Sequence, residues 1–223
     1  MIFRKLCVLI FIALLNLLPL HADYEGSFSS LFFYRQPSSK AEAMGRGLVA
    51  SADLDSYFYN PAGIYGIDFI ECKFNTSSPL YFYEKARYYQ AGFGYNLKNK
   101  LVISFNFNHL NYGYKSQIVT PEGLFIGEWT PYSSIYTVTM ATSIFNKFLF
   151  GTNINYAVKN YQENSYKTFY FDIGAMYIHR FNTILTSNNI LTIGASLINF
   201  TSSKINYSYV DEELPVISHL GII

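Results

Sequence analysis

Side chains that could do chemistry are few in this chain and stand far apart. Beyond the first 22 residues the histidines are His109, His179 and His219, and none has another His, a Cys or a paired carboxylate at metal-ligand spacing. No Gly-x-Ser-x-Gly elbow, phosphate-binding glycine loop or His-Glu-x-x-His is present. The sequence therefore points to a non-catalytic protein with neither cofactor nor metal. His109 and His179 fall at the ends of apparent strands, where a polar aromatic at an interface suits the pattern. Asp172 shares one strand face with Tyr170, Gly174 and Met176; it lines a pathway or is solvated in a wet interior. Asp211, Glu212 and Glu213 read as a solvated loop rather than a cation site.

The elements around these residues follow from periodicity. Phe148 to Lys159 puts Phe148, Phe150, Thr152, Ile154, Tyr156 and Val158 on one face, and Leu149, Gly151, Asn153, Asn155, Ala157 and Lys159 on the other. Similar alternation runs through Phe69 to Thr76, Tyr88 to Lys98, Leu101 to Asn108, Ile135 to Ala141, Phe169 to His179 and Ile190 to Ile198. Weaker strands fit Ile205 to Val210 and Leu214 to Ile223. Connections alternate in length: Leu97 to Lys100 and Phe145 to Lys147 are tight, whereas Asn111 to Pro131 and Asn160 to Lys167 are long. The Phe181 to Asn189 connection fits this pattern less well.

Composition separates two all-β readings. Aromatics are 19% and charged residues only 14% of the 223, with 21 Tyr and 20 Phe against one Trp, which favours strands carrying large side chains. A soluble antiparallel sandwich would have a charged outward face. Here the less apolar face carries Gly, Ser, Thr and Asn, which suits a barrel interior, while Phe, Tyr, Ile and Leu suit lipid. The expectation is an antiparallel transmembrane β-barrel in which Asn153, Asn155 and Asp172 face the lumen. Tyr81-Phe82-Tyr83 and Tyr88-Tyr89 then read as an interfacial girdle, with ligand stacking as the competing reading. The net charge of +1 gives no reason to invoke nucleic acid.

The N-terminus reads as an export signal over residues 1–22. Arg4 and Lys5 precede an apolar run from Leu6 to Leu15, and Ala22 closes a Leu-His-Ala triplet. Asn16 and Pro19 interrupt the run well short of the roughly 20 apolar residues of a spanning helix. Cleavage would take Cys7 with it, leaving Cys72 without an intrachain disulfide partner, as a small wall residue.

Residues 23–67 form a second unit without strand periodicity, and residues 68–223 supply the strands. Ser39-Lys40-Ala41-Glu42 fits a capping box opening a short helix that stops at Gly45. In Asn60-Pro61-Ala62-Gly63, Asn60 can bond its own backbone, Pro61 fixes its φ, and Gly63 permits φ above zero, giving a compact turn.

The run Ser39 to Ala50, containing Ala43-Met44-Gly45-Arg46-Gly47, followed by Asp55 to Ile64, resembles outer-membrane proteins related to the FadL long-chain fatty acid transporters, especially the PorV/PorQ-like branch. Leu214 to Gly221 resembles a strand of that family in which Arg more often stands at the His219 position. The resemblance implies an N-terminal periplasmic hatch, marked by Gly45, Gly47, Asn60, Pro61, Ala62 and Gly63, plugging a barrel of about fourteen strands in the outer membrane of a diderm bacterium. It implies passive uptake of hydrophobic, fatty-acid-like molecules or, in PorV-like members, partnership with a secretion system or surface protein. Length departs from the family, because an eight-stranded barrel is filled by its own side chains and cannot hold a plug of about 40 residues. The chain also ends within a strand without a terminal aromatic, so the sequence is read as a wall incomplete at its C-terminus, a fragment, frameshift product or truncated copy, with a copy that lacks transport activity as a further alternative to the uptake and partner roles.

Overall fold

The computed structural model describes residues 38–44, 47–78, 85–98, 100–113, 115–119, 123–145, 147–161, 164–181, 189–201, 204–206, 211–214 and 216–223. The proposed leader, Gly45 and Tyr81-Phe82-Tyr83 lie outside these residues.

A pre-strand segment comes first. Helix α1 (Ser39–Ala43) is a single turn, and Ser38 Oγ accepts from the Ala41 amide at 3.3 Å. Three 3₁₀ turns follow: η1 (Leu48–Ala50), η2 (Leu54–Phe58) and η3 (Pro61–Gly66). Asp53 caps η2 by accepting from the Ser56 amide, and Asn60 caps η3 with Pro61 as its first residue, where a missing N–H costs nothing.

The rest of the fold is strand. β1 (Ile70–Ser77), β2 (Arg87–Leu97), β3 (Leu101–Asn111), β6 (Tyr132–Ile144), β7 (Phe148–Tyr161), β8 (Asn164–Phe181), β9 (Asn189–Ile198) and β12 (Ile217–Ile222) form one antiparallel sheet in that order. Among the described residues β1 and β12 are its two edges and do not pair with each other, so the sheet is open. No helix among the described residues is long and apolar enough to cross a membrane. At both tight turns the residue after the strand takes a left-handed conformation, Lys98 at φ 54° and Phe145 at φ 56°, in keeping with hairpins whose turns must match the strand twist.

Three expectations change. The expected long loop after Asn111 contains a ribbon, β4 (Ser116–Val119) paired with β5 (Phe125–Trp129), because β-favouring residues flank a turn at Gly123 whose φ is 85°. The expected long connection from Asn160 to Lys167 is strand almost throughout: β7 and β8 stay paired from Phe148↔Tyr177 out to Tyr161↔Asn164. The extra length there is a ribbon rising past β9, which pairs with β8 only from Ile173 onward. Finally, Asp211 to Glu213 is not loop but β11, paired with β10 (Lys204–Asn206) in a separate small ladder.

The two faces of the main sheet differ in what covers them. One face is packed under the pre-strand segment: η2 meets β1 and β2, η3 meets β3, β6, β7 and β8, and η1 meets β9 and β12. The other face is open and carries exposed Phe74, Tyr89, Phe93, Phe105, Tyr136, Phe150, Ile154, Phe169 and Leu220. Cys72 lies on this open face of β1.

Candidate functional site

The site is the layer between the pre-strand segment and the covered face of the sheet. Asn60 is completely buried and uses its whole amide there. Its Oδ1 accepts from the Ala62 amide at 3.1 Å, closing the turn, while its Nδ2 donates to the Val49 carbonyl at 2.8 Å and to the Ala175 carbonyl of β8 at 3.1 Å. One side chain thus ties η3 to η1 and both to the sheet. Pro61, Ala62 and Gly63 are buried beside it. Gly63 does not occupy the left-handed region expected of it; it is needed for space, since a methyl group there would overlap the Ser51 carbonyl and the Ser56 side chain. Gly47 is exposed, and its amide donates to the Met44 carbonyl at 3.0 Å, linking α1 to η1.

Glycines on the sheet make the close approach possible. A Cβ at Gly151 would overlap the Pro61 carbonyl carbon and the Ala62 amide; at Gly174, Asn60 Oδ1; at Gly194, the Val49 carbonyl. These residues stand on β7, β8 and β9, with Gly151 opposite Gly174 and Gly194 opposite Met176. Gly151 and Gly194 are therefore where backbone meets backbone, and Gly174 is where the Asn60 side chain enters.

Beneath η2 lies a polar network. Asp172 on β8 is buried, its Oδ2 accepting from Asn153 Nδ2 at 2.8 Å and Asn155 Nδ2 at 2.7 Å, its Oδ1 from the Asn199 amide at 2.8 Å. Asn153 Nδ2 also donates to the Tyr57 carbonyl at 2.8 Å, and Thr137 Oγ1 donates to Asn155 Oδ1 at 2.7 Å. Asn153, Asn155 and Asp172, singled out separately by strand alternation, form one cluster on the covered face. Tyr57 is the residue that sequence reasoning missed. Its hydroxyl accepts from Asn108 Nδ2 at 2.6 Å and Gln90 Nε2 at 3.3 Å, and burial pushes its phenol up to about 12 against the opposing effect of those bonds. As one of 21 tyrosines it carried no local signal.

A seam of charge fixes the segment at β1. Lys73 pairs with Asp55, Lys40 with Asp53, and Glu71 Oε2 accepts from the Leu54 amide at 3.2 Å. At the opposite edge His219 Nδ1 lies 3.3 Å from the Tyr59 carbonyl, which Ser196 Oγ also reaches.

Above this layer, on the same face, Tyr88, Leu110, Ile135, Ala157, Tyr170 and Leu214 pack into an apolar cluster. A cavity of about 10 Å³ separates it from the network, lined by Tyr57, Phe58, Asn108, Ile135, Thr137, Asn153, Asn155, Tyr170, Asp172 and Ile198. That is room for about one water. His109 and His179 sit on the open face: His109 Nδ1 is 2.9 Å from Ser134 Oγ and its ring stacks on Phe107, while His179 stacks between Tyr177 and Phe181. No group of His, Cys, Asp or Glu among the described residues is arranged to hold a metal ion. Compared with known proteins, the chain matches no family model and no curated sequence.

Proposed function

We propose that the sheet is the lipid-facing wall of an outer-membrane β-barrel, that residues 38–67 are its hatch, and that the assembly passes hydrophobic small molecules without catalysis. One observation carries this reading: the faces are inverted relative to a sheet in water. Phe105 is 56% and Phe74 73% exposed on the open face, whereas Ser104, Asn106, Asn108, Thr139 and Asn153 are at most 5% exposed on the covered one. Lipid on the open side removes the cost of that exposed apolar surface.

The aromatic residues support the same orientation. Rings of Phe107, Tyr136, Tyr156 and Phe169 run side by side across β3, β6, β7 and β8 with centroids 4.7–6.2 Å apart. Phe148 and Tyr177 stand together at the other end of β7 and β8, at 4.9 Å. Phe148 and Tyr156 are separated by about 27 Å along the strand, or about 20 Å along a barrel axis at a tilt of ~40°, comparable to the ~25 Å apolar band between aromatic girdles. Under this reading the apolar cluster around Tyr88 and Tyr170 receives the hydrophobic molecule, and the turn held by Asn60 closes the way beneath it.

The test is the double change Asn60→Ala with Pro61→Ala. Uptake of hydrophobic probes should change while insertion into the outer membrane persists. Unaltered uptake by correctly inserted protein would rule out a hatch role for this turn. The exposed Leu124, Phe125 and Ile126 on β5 and just before it favour a second reading, a PorV-like protein that docks a secreted or surface partner. Crosslinking from this ribbon to one defined protein, with permeation unaffected by its deletion, would select that reading over uptake.

A further inference from the structure

We propose that the tight-turn end of the main sheet is a binding surface for the headgroups of anionic glycerophospholipids, with Lys98, Lys100 and Lys147 as the cations that hold them. This rests on the lipid-facing reading of the sheet and adds to it a lipid class and the end of the strands that takes it.

The two ends of the sheet differ in charge. Lys98 and Lys100 stand in the turn between β2 and β3, Lys147 stands in the turn between β6 and β7, and all are exposed. Because β3 and β6 are neighbours, the two tips lie two strand spacings apart, about 10 Å, so their fields overlap at ordinary salt. Exposed Arg180, at the foot of β8, adds to the charge of this margin. None of these cations is in an ion pair among the described residues, and the carboxylate at the same margin is Asp68, just ahead of β1. The far end is mixed in sign: Lys115 pairs with Glu128 at 2.8 Å, and β11 is the sequence Asp211, Glu212, Glu213. Unpaired positive charge therefore collects at the tight turns. The apolar residues beside it suit a headgroup layer. Phe145 is 86% exposed at the tip between β6 and β7, and its φ of 56° is a conformation that a bulky residue adopts only at a cost. Leu97 and Phe148 are exposed at the feet of β2 and β7, and Phe148 adjoins the stacked rings of Tyr177, His179 and Phe181. Aromatic side chains at this level fit the girdle of a membrane interface. A lysine stem can lie along them while its ammonium reaches a phosphodiester, and a basic cluster at headgroup level selects anionic over zwitterionic lipid.

The experiment reconstitutes the full-length protein in phosphatidylcholine vesicles carrying a trace of chain-spin-labelled phosphatidylglycerol or phosphatidylcholine. Electron spin resonance resolves the motionally restricted lipid at the protein surface and gives its exchange constant for each headgroup. Phosphatidylglycerol should be preferred about three-fold at low salt, and the preference should fade at high salt. The triple change Lys98→Gln, Lys100→Gln and Lys147→Gln should abolish it while the amount of restricted lipid stays the same. Lys147→Gln alone should lower it part-way and decides the matter if the triple variant does not insert. Lys85→Gln with Lys115→Gln, at the far end, should leave it intact. Restricted lipid without headgroup preference overturns the proposal and leaves the lipid-facing wall standing. So does a preference that survives the lysine changes at the tight turns, or one lost with Lys85 and Lys115 instead. Absence of restricted lipid of either kind overturns both readings.

Discussion

Asn60 makes three hydrogen bonds in a place no water reaches, so its loss strands more than its own atoms. Asn60→Ala leaves the Val49 and Ala175 carbonyls without this donor and should loosen the pre-strand segment by about 2–4 kcal/mol, read as lost amide-exchange protection across η1 and η3. Tyr57 provides a pH signature. Its phenol moves from 10.0 to about 12 in the fold, so the folded state holds its proton more tightly than the unfolded chain. The associated stability is complete below pH 10 and declines as pH rises towards 12, by on the order of 2–3 kcal/mol. Tyr57→Phe should remove that slope, measured as the difference between the two proteins' alkaline unfolding curves. At this scale the sequence was partly legible. Asn60 stood out because Asn before Pro has few conformations and a side chain that caps, and the face of Asp172 followed from alternation. The cluster that joins Asp172 to Tyr57 spans more than a hundred residues of chain and has no local trace.

Elements were legible where alternation was long. β2, β3, β7 and β9 follow the expected spans within a few residues, because large apolar and small polar side chains take turns without interruption. The β4–β5 ribbon was read as loop, since Pro121, Gly123 and the short flanks dominate its pattern, and the β7–β8 ribbon was read as loop because Asn and Lys interrupt it. The contact of the pre-strand segment with all eight strands of the main sheet could not be read at all, although the glycines that permit it were visible. Those glycines differ in what they face. At Gly151 the obstacle is backbone, the Pro61 carbonyl carbon and the Ala62 amide; at Gly92 it is the side chains of Asn106 and Leu54. Gly151→Ala should therefore cost about 1–3 kcal/mol more than Gly92→Ala and raise protease sensitivity of η3 while the sheet's circular dichroism stays unchanged.

For the whole molecule, the proposed lipid contact makes a quantitative prediction at Phe105, midway along β3 on the open face. Phe105→Arg should destabilise by about 2–4 kcal/mol in a bilayer, because a charge at the midplane is costly there, and be close to neutral in water. Reversible unfolding in lipid vesicles distinguishes the two, and a neutral result would leave the open face without its lipid. The all-β character and the inverted faces were legible from composition and period; the course of the edges was not, since pairing between strands distant in sequence leaves no periodic mark. Those edges impose an arithmetic of their own. Eight strands that reverse direction at every step leave β1 and β12 running oppositely, so they are already matched for antiparallel pairing. Any closed, antiparallel ring built on this sheet must insert an even number of strands between the two margins, whether none, two or six, and whichever polypeptide donates them.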